Sequence, residues 1–227
     1  MGNMPAWSFS SLTAFETCPR QYYLVKVAKT VKEQPSEHTE WGNRVHKALE
    51  LRVKDGTPLP EGMEKWEPVA AKLATMAAEG RQVFTERRYA LTRNLTPTEF
   101  FAPDCWHRGV IDVSALGRIS AYLADYKTGK VKTDHDQLTI SSAAMLQEFP
   151  QVERVTSQYI WLAHDRTTTK TITREDATAV WQDVIPRTQR MEAAFQADRW
   201  VPKPSGLCAG WCSVGRENCE FWCPKRK

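Results

Sequence analysis

The sequence predicts an α/β sandwich: helices first, then a mainly mixed sheet, then a returning helix, with a separate cysteine-rich element at the end. Three observations carry that prediction. Apolar residues recur at helical spacing in three segments before residue 80. Five later segments carry the apolar and β-branched runs of strands. From Trp200 onward the composition turns to Pro, Gly and Cys.

Taken in order, Ser8 or Ser10 can cap a first helix running to about Val27, with Phe9, Leu12, Phe15, Tyr22 and Tyr23 on one buried stripe. Residues 28–40 are polar, contain Pro35 and predict a loop. A second helix begins near Trp41 or Gly42, carries His46, Leu49, Glu50 and Val53 at helical spacing, and ends at the Gly56–Pro60 turn. An Ala-rich helix covers 64–79, and a strand covers 82–91. Strands over 109–116 and 119–127 form a hairpin about Gly117 and Arg118. A helix over 134–148, strands over 153–163 and 168–173, and a long helix to about Asp198 follow, the last kinked at Pro186. Three regions result: 1–80, a helical region packing on the core; 81–199, the core; and 200–227, a cysteine-rich tail closing onto the first helix.

The hairpin holds the chemistry. Side chains alternate faces along a strand, so Asp125 and Lys127 point the same way, and pairing can bring Asp112 beside them. Two carboxylates and an ammonium beside the polar Thr128-Gly129-Lys130 turn suit a hard divalent cation. Read singly, an Asp-x-Lys at a strand end is a solvated salt bridge worth roughly 0–1 kcal/mol.

Composition sets bounds. The 227 residues hold 31 basic against 27 acidic side chains, a formal charge of +4 that permits nucleic-acid binding without arguing for it. Most of the nine tryptophans sit in apolar settings and read as core. No run approaches the roughly 18 apolar residues of a membrane span. The start lacks a secretory signal, and Ala6 breaks the myristoylation pattern, so a soluble cytoplasmic protein is expected.

Four of six cysteines follow Cys208-x3-Cys212-x6-Cys219-x3-Cys223, in a segment too rich in turns to pack a core. In a reducing compartment such clustering points to metal thiolates rather than disulfides. Spacing alone favours a tetrahedral zinc held by all four. Alternatively, three of them join Cys18, in Thr17-Cys18-Pro19-Arg20, around a 4Fe–4S cluster. Cys105 reads as a structural thiol.

Together these motifs resemble the RecB-like branch of the PD-(D/E)xK nuclease superfamily, in particular its iron–sulfur members, which include CRISPR-associated RecB-like exonucleases and phage-encoded nucleases. The resemblance runs in order through Ser10-Ser-Leu to Cys18-Pro-Arg20, Gly42-Asn-Arg-Val-His46, Gly109-Val-Ile-Asp112, Asp125-Tyr-Lys127, Gln137-Leu138 and Leu207-Cys208 to Cys219-Glu-Phe-Trp222. Two features depart from the family pattern: Ser141 stands where a tyrosine usually follows the Gln motif, and Cys223 is an additional cysteine.

The resemblance implies a restriction-endonuclease-like core and a Mg²⁺- or Mn²⁺-dependent DNA exonuclease acting on single-stranded or end-containing DNA. Phage recombination or replication, or CRISPR-like processing, would be its setting, in the host cytoplasm and with a recombination or replication protein as a possible partner. It implies Asp112, Asp125, His46 and the Tyr126 main-chain carbonyl as metal ligands, with Lys127 activating water. Gln137 would position substrate or lysine. It also implies Cys18, Cys208, Cys212 and Cys219 as cluster ligands, with Cys223 as the alternative to Cys18. Glu86 could add a carboxylate or pair with Arg87 or Arg88. Arg20, Lys130 and Lys132 are candidate phosphate contacts, or ordinary solvated charges. The competing reading is a catalytically inactive nuclease-fold protein that binds nucleic acid or inhibits.

Overall fold

A computed structural model describes residues 4–33 and 36–224, so Pro35 of the expected loop lies outside the described residues. The chain divides into two compact units, Glu37–Gln182 and Met1–Ser36 with Asp183–Lys227.

In the second of these, α1 (Phe9–Thr17) starts at Ser8, whose side chain accepts from the Ser11 amide while Ser11 caps the Ser8 amide in return. The single helix expected to Val27 is broken. Cys18 is extended, α2 (Pro19–Tyr22) restarts with proline in its first turn, and a π-helical turn covers Tyr23–Val27. A residue before proline is pushed out of the helical region, whereas proline itself suits a helix start. The Trp200 ring packs on Tyr22, Tyr23, Phe15 and Phe195 with centroids 6.0, 5.1, 6.4 and 6.2 Å away. The Arg187 guanidinium donates twice to Glu16, at 2.8 Å each.

The larger unit begins with α3 (Glu37–Asp55), several residues earlier than expected; Glu37 and Glu40 in its first turn favour the helix N-terminus. After α4 (Glu67–Ala78) the sheet follows: β1 (Gln82–Thr92), β2 (Cys105–Leu116), β3 (Ser120–Lys127), then α5 (Asp136–Glu148), β4 (Arg154–Trp161) and β5 (Arg166–Thr173). The helix α6 (Arg174–Gln196) holds Pro186 within it and contributes residues to both units. Strand order is β1-β2-β3-β4-β5, antiparallel except for β3 and β4, which run parallel and are joined through α5. The hairpin turn is three residues, Gly117–Ile119, rather than two, closed by the Gly117 amide on the Ser120 carbonyl at 2.8 Å.

One core gathers Val45, Leu49 and Val53 of α3 with Ala70 and Leu73 of α4 against Val113, Ala124, Tyr126 and Ile160 of the sheet. The spacing of 45, 49 and 53 is one helix stripe. Each fully buried Val or Leu contributes on the order of 1.5–3 kcal/mol. That packing fixes which way the next face of α3, bearing His46 and Glu50, looks.

Candidate active site

The β2–β3 ladder pairs only Val113–Leu116 with Ala121–Ala124. Beyond Ala124, β3 stays paired with β4 through Lys127, while β2 stays paired with β1. Asp112 and Asp125 would be the next opposed pair, so both carboxylates stand where the ladder opens. The unpaired Tyr126 amide there donates to Asp112 Oδ2 at 2.7 Å, turning a lost ladder bond into a clamp on the carboxylate.

Around that fork the sequence-predicted residues converge. Lys127 Nζ lies 2.6 Å from Asp125 Oδ2 and donates to Gln137 Oε1 at 2.9 Å. Gln137 Nε2 in turn donates to Asp125 Oδ1 at 2.7 Å. Asp125, Lys127 and Gln137 thus form a closed triangle, with Gln137 brought from the first turn of α5. Lys127 Nζ also sits 4.9 Å from the centre of the Tyr159 ring. From α3, His46 Nδ1 reaches Asp112 Oδ2 at 3.3 Å, its ring edge-on to Tyr126.

Glu86 completes the group. Its β1 neighbours Thr85 and Arg87 pair with Val113 and Ile111, which places Glu86 opposite Asp112. Its φ of 48° is left-handed, a costly conformation for glutamate. His46, Glu86 and Asp112 each offer a donor atom within 4.8 Å of the other two. Arg87, one alternative partner for Glu86, instead makes a bidentate pair with Glu148 at 2.9 and 2.7 Å.

The electrostatics follow from crowding acids in a half-buried fork. Burial, then the Asp112 charge, pushes Asp125 up to about 6 against the opposing pull of Lys127 and His46. Burial raises Glu86 as well, and the carboxylates of Asp112 and Glu50 add to it. For His46 burial acts downward, but the hydrogen bond to Asp112 and the charges of Asp112, Asp125 and Glu86 together raise it. A site that holds protons this tightly on acids and histidine alike is one short of positive charge.

The site opens into a groove lined by His38, Thr39, Gly42, Asn43, Lys47 and Glu50 of α3, with Val110 of β2 and Thr128. Sequence reading gave a role only to His46 on this face, although it named Gly42 and Asn43 in the motif and Glu50 at helical spacing. Thr39 lies at i−7 from His46, where helical periodicity could have found it.

The motif glycine has a steric reason. A Cβ on Gly109 would come within 2.4 Å of the Tyr89 hydroxyl, because the Tyr89 ring crosses it from the paired position on β1. That buried hydroxyl lies 3.3 Å from His107 Nε2 and 3.4 Å from Ser141 Oγ. Burial pushes Tyr89 up to about 12, so it stays protonated. Ser141 therefore faces an aromatic hydroxyl supplied by β1.

Elsewhere, Lys130 and Lys132 are exposed in the loop after β3. Cys18, Cys208, Cys212 and Cys219 line one cavity together with Arg20. Burial raises the Cys212 thiol; a Val214 backbone hydrogen bond opposes this, and the Cys18, Cys208 and Cys219 sulfurs add to it. Cys223 is exposed, its amide donating to the Cys208 carbonyl at 2.9 Å. Among the described residues no helix is long and apolar enough to cross a membrane.

Among solved structures, the chain is similar to SSO0001, at 12% identity over 98% of this chain and 89% of that one, with a TM-score of 0.41. It is also similar to a presumed exonuclease from Eubacterium rectale, at 12% identity over 93% and 88% of the two chains, with a TM-score of 0.49. No curated protein sequence matches. The sequence profile of the PD-(D/E)XK nuclease superfamily matches residues 6–220, nearly the whole chain, which therefore belongs to that superfamily.

Proposed function

We propose that this protein is a divalent-metal-dependent DNA exonuclease of the RecB-like branch, acting on single-stranded or end-containing DNA. The observation that carries the reading is the convergence of Asp112, Asp125, Lys127 and Gln137 with His46 and Glu86 at one opening in the sheet.

The residues fit a hard cation: the carboxylates of Asp112 and Glu86 and the His46 imidazole point donors at a common volume. A Mg²⁺ or Mn²⁺ held there, with the Tyr126 carbonyl and Asp125 as further ligands, would polarise a phosphoryl oxygen and acidify water. Lys127 stands beside these acids, where its ammonium can orient the attacking water and offset charge developing on the phosphate. Gln137 fixes both partners of the Lys127–Asp125 pair, so neither can swing away as substrate enters. Asp112, clamped by the Tyr126 amide, is preorganised in the same way.

The cysteine cavity supports a metallocluster that ties α2 to the tail within one unit. Cys18, Cys208, Cys212 and Cys219 are the proposed ligands rather than Cys223, because they line one cavity. Four thiolates suit an iron–sulfur cluster, with a tetrahedral zinc as the alternative. Anaerobically purified protein should be brown, with visible absorption that Cys212→Ser removes together with solubility. A colourless protein with stoichiometric zinc would reverse the assignment.

The activity is tested by incubating end-labelled single- and double-stranded DNA with Mg²⁺ or Mn²⁺, comparing wild type with Asp125→Ala and Lys127→Ala. Equal cleavage by all three would remove the site assignment. Binding without cleavage by metal-loaded wild type would favour a catalytically inactive nucleic-acid-binding protein.

A further inference from the structure

A second feature of the β1–β2 hairpin lies outside the catalytic group. The loop joining these strands, residues 93–104, carries Phe100 and Phe101 edge to face with centroids 5.0 Å apart. Phe101 is 74% exposed, the most exposed large apolar side chain described. An exposed phenylalanine by itself means little. Here two arginines are built onto it. The Arg88 guanidinium lies 5.3 and 5.9 Å from the Phe100 and Phe101 ring centres, and that of Arg108 lies 5.0 and 5.5 Å from them. Arg108 also donates to the Phe100 carbonyl at 3.2 Å, anchoring the loop backbone to β2.

The loop is held from within as well. Thr98 Oγ1 donates to Asp104 at 2.8 Å, which occupies one of the loop's acids, and the Ala102 and Cys105 amides close successive turns on Glu99 and Ala102. Phe101 is therefore presented by an ordered scaffold, and little freedom is left to lose when a ligand stacks on it.

The position of this cluster supplies its ligand. Residues 108, 110 and 112 share one face of β2 by the strand period, and Arg88 is the register partner of Val110. Val110 and Asp112 both line the groove of the metal-ligand group. A continuous face thus runs from Asp112 over Val110 to Arg88, Arg108 and the two rings, with Arg108 roughly 13 Å along the strand from Asp112. Cations beside an exposed aromatic ring, in line with a phosphodiester-cleaving centre, match the alternation of phosphate and base in an unpaired strand. A duplex would keep its bases stacked on each other and leave the ring unused.

We propose that Phe100, Phe101, Arg88 and Arg108 form a stacking platform that grips the single-stranded portion of a DNA substrate a short distance from the scissile phosphate. Phe101 takes a base face, and the arginines take flanking phosphates. The ligand class rests on the nuclease reading above, and the test separates the two.

Binding of a fluorescein-labelled single-stranded DNA oligonucleotide is measured by anisotropy in EDTA, with aminopurine placed at successive positions from one end. Base–aromatic stacking is worth about 1–3 kcal/mol, so Phe101→Ala should weaken binding roughly 5- to 150-fold. It should also relieve aminopurine quenching at one position, while Phe101→Tyr, which keeps the ring, stays close to wild type. Arg88→Ala and Arg108→Ala should each lower the slope of affinity against salt by about one. Undiminished affinity and quenching in Phe101→Ala, with its melting curve intact, would overturn the platform, as would failure of wild type to bind a single strand. Cleavage in Mg²⁺ or Mn²⁺ is scored separately: ring-dependent binding without cleavage removes the nuclease reading and leaves the platform standing.

Discussion

Lys127 and Asp125 are held side by side, with Nζ 2.6 Å from Oδ2, but do different jobs. They share Gln137, which donates to one and accepts from the other. Lys127→Ala is expected to lower the cleavage rate by about 10²–10⁴, the range of a positioned proton-transfer group. Asp125→Ala should remove cleavage and weaken Mn²⁺ binding by calorimetry, whereas Lys127→Ala should leave Mn²⁺ binding intact. Gly109 offers a purely steric test. An added methyl must displace the buried Tyr89 ring, so Gly109→Ala should cost about 1–3 kcal/mol by urea unfolding. The Asp-x-Lys pair and the Gly-Val-Ile-Asp segment were legible in sequence because strand alternation is local. The reason for Gly109 was not, since Tyr89 lies twenty residues away and reaches it only by strand pairing.

At the scale of elements, the informative defects are breaks in regular structure. The β2–β3 ladder stops at the carboxylates, and β1 takes a left-handed step at Glu86. Glu86→Ala removes the carboxylate but keeps the strained backbone; Glu86→Gly removes both. The glycine variant should therefore be more stable by about 1 kcal/mol in thermal melts, while both bind Mn²⁺ more weakly than wild type. Equal stability of the two would mean that the backbone there is not strained. Helix positions were read well for Leu49 and Val53, which face the core, whereas Val45, which completes that stripe, was not singled out. The unbroken first helix was a misreading. Pro19 was in plain view as a helix starter, and the extended Cys18 before it follows from proline sterics alone.

For the molecule as a whole, stability should depend on pH and metal together. In the metal-free protein the Asp125 carboxyl titrates at about 6 against an ordinary value of 3.8, so between these the folded state holds the extra proton. A raised folded value gives a contribution fully present below the unfolded pKa and lost as pH rises through the folded one. His46 shifts in the same direction. Metal-free protein should therefore lose melting temperature as pH rises from about 4 through 6 and beyond, and Mg²⁺ or Mn²⁺ should restore more at pH 8 than at pH 5. Calorimetric scans with and without EDTA would check this; a metal-free protein that gains stability over that range would contradict the site's electrostatics.

By itself the sequence determined the α/β class, the strand carrying Asp-x-Lys, the helix carrying His46 and the clustering of the tail cysteines, because periodicity and short spacing are properties of neighbours along the chain. Only the tertiary structure decided that Glu86 joins His46 and Asp112, and that Gln137 bridges Lys127 and Asp125. It also decided that Cys18 shares a cavity with three tail cysteines. Those relations depend on strand register and on how helices pack, and both are set by burying apolar faces far apart in sequence.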